Sequence, residues 1–161
     1  GVPFFQNLED ALAGCAADVV CVCTPNYLHE GHTLAALQAG THAVVEKPMA
    51  LSVAECDRMM AAAERFGKTI FAVKQNRYNP PVQAVKDLLQ RGELGRIFLV
   101  QVACFWNRGD AYYAGSPWRG RKALDGGLLF TQFSHFVDIL YYLNGPVRRA
   151  QGAVHNYAHR H

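Results

Sequence analysis

Three short apolar runs, spaced by helix-length segments, constrain this chain more than anything else in it. They are "DVVCVC" (18–23), "HAVVE" (42–46) and "TIFAV" (69–73). None alternates apolar with polar residues, so each reads as a strand buried on both faces. Between them lie segments with helix punctuation. "LHEGHTLAALQAG" (28–40) ends at Gly40, a C-terminal stop. "SVAECDRMMAAAERFG" (52–67) opens with Ser52 and Glu55 in capping-box spacing and closes at Gly67. A shorter helix, "NLEDALAG" (7–14), has Asn7 as its N-cap. Strand, helix and strand in this rhythm predict an α/β doubly wound parallel sheet with helices on both faces. Ligands of such sheets bind beyond the carboxyl ends of the strands. "TPNYLHEG" and "EKPMALS" occupy that position.

After residue 74 the style changes. "PPVQAVKDLLQRGELG" (80–95) has prolines at its start and Gly92 and Gly95 past its end, the asymmetry of a helix. "RIFLVQVACFW" (96–106) partly alternates and predicts a long strand of a mostly antiparallel sheet with one covered face. "NRGDAYYAGSPWRGRKALDGG" (107–127) has no period and is rich in Gly, Arg and aromatics. Loops of that length in a compact domain are usually functional. "LFTQFSHFVDILYYLNG" (129–145) predicts one amphipathic helix, and 147–158 the start of a further strand. The change divides the chain into two partial units, 1–74 and 75–161.

Composition narrows the function classes. The 161 residues carry a formal net charge of +3, too mild to indicate nucleic acid or membrane, but compatible with an anionic small ligand. No apolar stretch approaches the ~20 residues of a membrane span, and no secretory signal opens the chain. The five cysteines form no C-x-x-C pair, which predicts reduced, mostly buried thiols and a cytoplasmic protein. His29 and His32 are three apart with no third ligand at useful spacing, so no metal is expected.

Two positions have chemical potential. Lys47 stands at a strand's carboxyl end, between Glu46 and a proline that keeps it out of helical geometry. A partly buried lysine loses proton affinity and can exchange a proton near neutrality. His135 shares one helical stripe with Thr131, Gln132 and Asp138, so Asp138 or a backbone carbonyl could orient it for proton transfer. Each has an ordinary alternative: an exposed lysine at a strand end, and a half-buried histidine with satisfied nitrogens. "SPWRGRK" (116–122) and Arg108 gather four cations around the long loop, suited to phosphate or carboxylate.

T-P-N-x-x-H (24–29), E-K-P (46–48) and G-G-x(7)-H-x-x-D (126–138) occur here together. With "QNRYNPPVQAVKDLLQRGELGRI" between them, they resemble the glucose–fructose oxidoreductase, inositol dehydrogenase and rhizopine-catabolism (Gfo/Idh/MocA) family over nearly the whole chain. The resemblance implies an NAD(P)-dependent oxidoreductase, with NAD or NADP as cofactor, acting on a secondary alcohol of a sugar or polyol. It implies Lys47 and His135 as the catalytic pair. Thr24, Pro25, Asn26, His29, Glu46, Lys47, Gln75, Trp118 and Arg119 would meet the cofactor. Lys47, Arg119, Thr131, Gln132 and His135 would meet the substrate.

Many members of the family carry Asp where this chain has Thr131. "WRGRKALDGGLLFTQFSHFVD" is more similar to bacterial members that oxidise C3 of a UDP-N-acetylglucosaminuronate-type sugar for surface polysaccharide. The expected substrate is therefore a nucleotide-sugar acid, with a free sugar, inositol or dihydrodiol as the alternative substrate. A non-catalytic binding or oligomerisation module is the alternative to enzymatic function. The resemblance also implies that 1–74 is a partial NAD(P)-binding Rossmann domain, that 75–161 is a partial α/β substrate and oligomerisation domain, and that the protein is a homo-oligomer, dimer or tetramer. It further implies a first strand and glycine-rich phosphate loop ahead of Gly1, since no two glycines here are separated by a single residue.

Overall fold

The computed structural model describes residues 1–155 and 157. Helix α1 (Leu8–Gly14) starts where Asn7 accepts the Asp10 N–H, at 2.8 Å. Strand β1 (Val19–Val22) follows, then a 3₁₀ turn over Asn26–Leu28 that runs into α2 (His29–Gln38). Strand β2 (His42–Val45) leads to α3 (Val53–Phe66), whose capping box is formed: Ser52 and Glu55 bond each other's backbone. Gly67 ends α3 at φ 62°, a conformation that costs glycine no side-chain clash. Strand β3 (Ile70–Ala72) completes a parallel sheet in the order β1-β2-β3, with Val20 opposite Ala43 and Val45 opposite Ala72.

The core lies between this sheet and helices α2 and α3. Val22, Leu37, Ala43, Val45, Met59 and Ala63 pack there, and Leu37 and Met59 are fully buried. The larger of these, Val22, Leu37, Val45 and Met59, contribute about 1.5–3 kcal/mol each. Alternate residues of β1 explain the rest. Val22 faces the core, while Val19, Cys21 and Cys23 are exposed on the other side. So helices cover one face among the described residues, not both. For the same reason the cysteines are not mostly buried: Cys21 and Cys23 are exposed and the other three intermediate.

The second half is helical. A 3₁₀ turn at Gln75–Tyr78 leads to α4 (Pro80–Gln90). Short helices α5 (Asp110–Ala114) and α6 (Lys122–Asp125) lie within the long loop, followed by α7 (Leu128–Thr131) and α8 (Ser134–Asn144). The strand expected at 96–106 does not form. Phe98, Leu99 and Phe105 are 84%, 82% and 94% exposed, and no neighbouring strand among the described residues accepts this backbone. An antiparallel sheet is therefore not part of the described fold. The strand expected over 147–158 does not form over 147–155 either, and its positions 156 and 158 lie outside the described residues.

The single helix expected at 129–145 is broken at Gln132–Phe133. There the Phe133 N–H reaches back five residues to Leu128 O at 3.0 Å, a wide turn, and the Thr131 hydroxyl bonds Gly127 O at 3.1 Å. Such hydroxyl back-bonding bends helices. The break also leaves the Thr131 carbonyl without a helical donor, and that carbonyl enters the site.

Candidate active site

A cleft of about 1080 Å³ opens beyond the carboxyl ends of β1 and β2. Its sheet side is built by Cys23, Thr24, Glu46 and Lys47, and its far side by Tyr112, Trp118, Arg119, Gly127, Thr131 and Gln132. Parallel strands all point their carboxyl ends the same way, so successive loops converge on one crevice.

The first loop is held from below. His29 is fully buried at the cleft floor, with Nδ1 2.7 Å from Pro48 O and Nε2 2.7 Å from Thr24 O. Its ring thus braces the loop after β1 against the turn after β2, and neither nitrogen is left over for a ligand. Thr24 Oγ1 bonds His32 Nδ1 at 3.1 Å. Pro25 starts the 3₁₀ turn with extended backbone, φ −56° and ψ 146°. Asn26 is buried, and its Nδ2 donates to Asp125 O at 2.9 Å across 99 residues of sequence.

The second loop carries Lys47. Glu46 folds back so that its carboxylate accepts the Lys47 backbone N–H at 3.1 Å, and the Lys47–Pro48 peptide is cis. The Lys47 ammonium donates to Thr131 O at 2.5 Å, taking the carbonyl freed by the break between α7 and α8. Burial pushes this ammonium below its usual range. Glu46 opposes the shift, while Lys74 and Arg108 add to it. His135 lies in the first turn of α8, four residues past Thr131, and is buried. Burial lowers its proton affinity first, and the charges of Lys47 and Lys74 lower it further. Lys47 and His135 therefore share one electrostatic environment.

Asp138 does not orient His135. Both its oxygens are taken by Arg77, Nε to Oδ2 at 2.8 Å and Nη2 to Oδ1 at 2.6 Å. Both ends of the Gln132 carboxamide also have a partner: Arg108 Nη2 donates to its Oε1 at 3.1 Å, and its Nε2 donates to the Tyr112 hydroxyl at 2.9 Å. Trp118 and Arg119 line the cleft, with the Arg119 guanidinium 4.9 Å over the Tyr112 ring and 5.5 Å over that of Trp118. Gln75 is exposed in the turn after β3 and is not among the residues that line the cleft.

Sequence reasoning missed Asp125. It is 5% exposed, and its carboxylate accepts the N–H groups of Gly120 at 2.5 Å and Gly127 at 2.6 Å. It thus ties the Trp118–Arg119 loop to the start of α7. Its signal was the run Asp125-Gly126-Gly127, a carboxylate beside two residues free to take positive φ (83° and 84°). Arg77 and Tyr112 carried no such signal.

Comparison with known proteins gives the family. Residues 1–74 match the model of an oxidoreductase family with an NAD-binding Rossmann fold, and 82–161 match the GFO/IDH/MocA C-terminal domain. The chain belongs to the Gfo/Idh/MocA family. It is 43% identical to the WlbA dehydrogenase of Bordetella pertussis, solved with NADH and UDP-GlcNAcA, with a TM-score of 0.85 over 88% of this chain and 41% of that one. The Chromobacterium violaceum WlbA, solved with the same ligands, is 41% identical with the same TM-score and coverage. Among curated relatives, a 1-carboxy-3-chloro-3,4-dihydroxycyclohexa-1,5-diene dehydrogenase of Comamonas testosteroni is 34% identical over 83% of this chain and 33% of its own length. The NADP-dependent scyllo-inositol 2-dehydrogenase of Bacillus subtilis is 31% identical over 87% and 38%. The chain thus spans between a third and two-fifths of the length of these relatives. Among its described residues no helix is long and apolar enough to cross a membrane, and no group of three or more His, Cys, Asp or Glu could hold a metal ion.

Proposed function

We propose that this chain carries the catalytic centre of an NAD-dependent oxidoreductase that oxidises a secondary alcohol of a nucleotide-sugar acid, at C3 of a UDP-N-acetylglucosaminuronate-type ring. The observation that carries the reading is the Lys47 ammonium seated on the Thr131 carbonyl, one helical turn ahead of His135. It joins a strand end of the parallel sheet to the helix of the second half, across a cleft large enough for a dinucleotide and a sugar.

The residues fit the nicotinamide cofactor in one respect independent of the relatives: the cleft lies at the carboxyl ends of parallel strands, with Thr24 and Glu46 on one side and Trp118 and Arg119 on the other. A bound nicotinamide supplies the hydride acceptor. The chain's own groups manage the proton. Lys47 donates a hydrogen bond to the carbinol oxygen and stabilises negative charge as it develops there. His135, held neutral by burial and neighbouring cations, accepts the hydroxyl proton. Thr24, Pro25, Asn26, Glu46, Gln75, Trp118 and Arg119 serve the cofactor side, with His29 acting beneath them as a brace. Thr131 and Gln132 serve the substrate side. Residues 1–74 and 75–161 act as the cofactor and substrate parts.

The test is reduction of NAD by UDP-N-acetylglucosaminuronate in the whole protein, followed at 340 nm. Lys47→Met is expected to lower kcat by roughly 100-fold or more while NADH still binds. Turnover within a few-fold of the wild type would remove Lys47 from the chemistry, and no NAD reduction at all would remove the substrate.

A further inference from the structure

Lys47 and Arg119 line the cleft, and Arg108 stands behind its wall, bonded to Gln132 and stacked on Tyr112, both of which line it. Among the described residues no acidic oxygen comes within 4 Å of the charged nitrogens of Lys47, Arg108 or Arg119. Arg108 lies near enough to Lys47 to lower its proton affinity. It is also firmly placed. Its guanidinium sits 5.3 Å over the Trp106 ring and 5.0 Å over the Tyr112 ring, and it donates to Gln132. An arginine held by two aromatic faces and a carboxamide loses little further freedom when it binds an anion.

The bonds also fix the polarity of Tyr112. A guanidinium can only donate, so the Gln132 oxygen faces Arg108 and the Gln132 NH₂ faces Tyr112. The Tyr112 oxygen is therefore an acceptor in that bond, and among the described residues its own O–H, at the cleft wall, has no acceptor. Arg119 also stacks on its ring, at 4.9 Å. The cleft thus offers a phenolic donor whose ring meets two positive charges, in a lining that also includes Lys47.

We propose that Arg108 and Tyr112 form a subsite for an anionic group of the substrate, a carboxylate or phosphate oxygen pair, and that this subsite sets the preference for charged over neutral sugars. The proposal rests on the reading of the cleft as a sugar-oxidising site, but its test does not require turnover. Equilibrium binding to the whole protein, by calorimetry, compares three ligands: UDP-N-acetylglucosaminuronate, UDP-N-acetylglucosamine without the carboxylate, and N-acetylglucosaminuronate without the diphosphate. Loss of a hydrogen bond to a charged group costs about 10- to 100-fold in affinity. Arg108→Leu is expected to weaken the first ligand by that factor. If it weakens the third equally and the second little, the group read is the carboxylate; if the second equally and the third little, a phosphate. Tyr112→Phe keeps the ring stack and is expected to repeat the selective pattern at about 3- to 10-fold. Equal weakening of all three ligands, no change in either variant, or no binding of any of them to the wild type overturns the subsite. NAD reduction by the same three sugars reports separately on the oxidoreductase reading.

Discussion

Arg77 and Asp138 should be unequal partners in stability, and the inequality can be worked from their exposure. The pair is bidentate, and it ties the turn after β3 to α8, one turn beyond His135. The Asp138 side chain is 8% exposed and that of Arg77 is 32% exposed. In Arg77→Met, a carboxylate that water scarcely reaches loses both its donors. Unpartnered buried charges cost about 3–5 kcal/mol, and the partial opening here favours the lower end, about 3 kcal/mol. In Asp138→Asn, the guanidinium keeps water on one side and the Tyr142 ring 5.1 Å away on the other. It also retains an amide oxygen to bond, so the loss is about 1 kcal/mol. The double variant should fall short of the sum by about 1.5 kcal/mol, because it buries no orphaned charge. Equilibrium urea unfolding of the whole protein measures all three. If Asp138→Asn costs as much as Arg77→Met, the burial argument fails. A coupling below about 0.5 kcal/mol would mean that the pair is a surface contact.

Two further outcomes follow from the site. His135 has its proton affinity lowered by burial and then by Lys47 and Lys74, so the acid limb of the kcat/KM profile should fall below the ordinary imidazole value of about 6.5. Because its folded value is depressed, the unfolded chain takes up the proton first, and stability is lost as pH falls from about 6.5 towards that lower value. His135→Gln should remove the kinetic limb and flatten this part of the stability profile, and an unchanged limb would assign it to another group. Gly126→Ala should cost about 1–3 kcal/mol by thermal unfolding, since residue 126 has φ 83° and an added Cβ would come within 2.9 Å of Phe130 and 3.0 Å of Leu51. A neutral result would mean that the loop can shift without strain.

The first half was legible because its signals are local. Apolar runs and capping residues within a few positions of each other set β1, β2, β3, α2 and α3, and Ser52 with Glu55 needs no distant partner to start a helix. The segment 96–106 misled because alternation states only that one face prefers burial, whereas a strand also needs a neighbour to take its backbone bonds. The α7–α8 break was invisible for a related reason. Nothing between Leu128 and Asn144 is a helix breaker. The turn widens where Thr131 back-bonds and where Arg108 and Tyr112 grip Gln132, and those two residues lie about twenty positions upstream. Lys47 and His135 could be picked out as reactive types, but only the tertiary structure brings them under a shared field. His29 shows the opposite failure: a polar residue in a site motif, spent entirely on main-chain carbonyls.

The resting partner of Lys47 is the backbone of residue 131 and not its side chain. The Thr131 hydroxyl points elsewhere, to Gly127 O. The amine's seat is therefore set by where the helix breaks, and the Thr131 hydroxyl takes part in that break. Thr131→Ser keeps a hydroxyl that can bond Gly127 O, and so keeps both the break and the lysine's anchor. A residue without one gives up a bond that helps to present the carbonyl. Selectivity and chemistry are geared together at this position, so a library at residue 131 would move both at once.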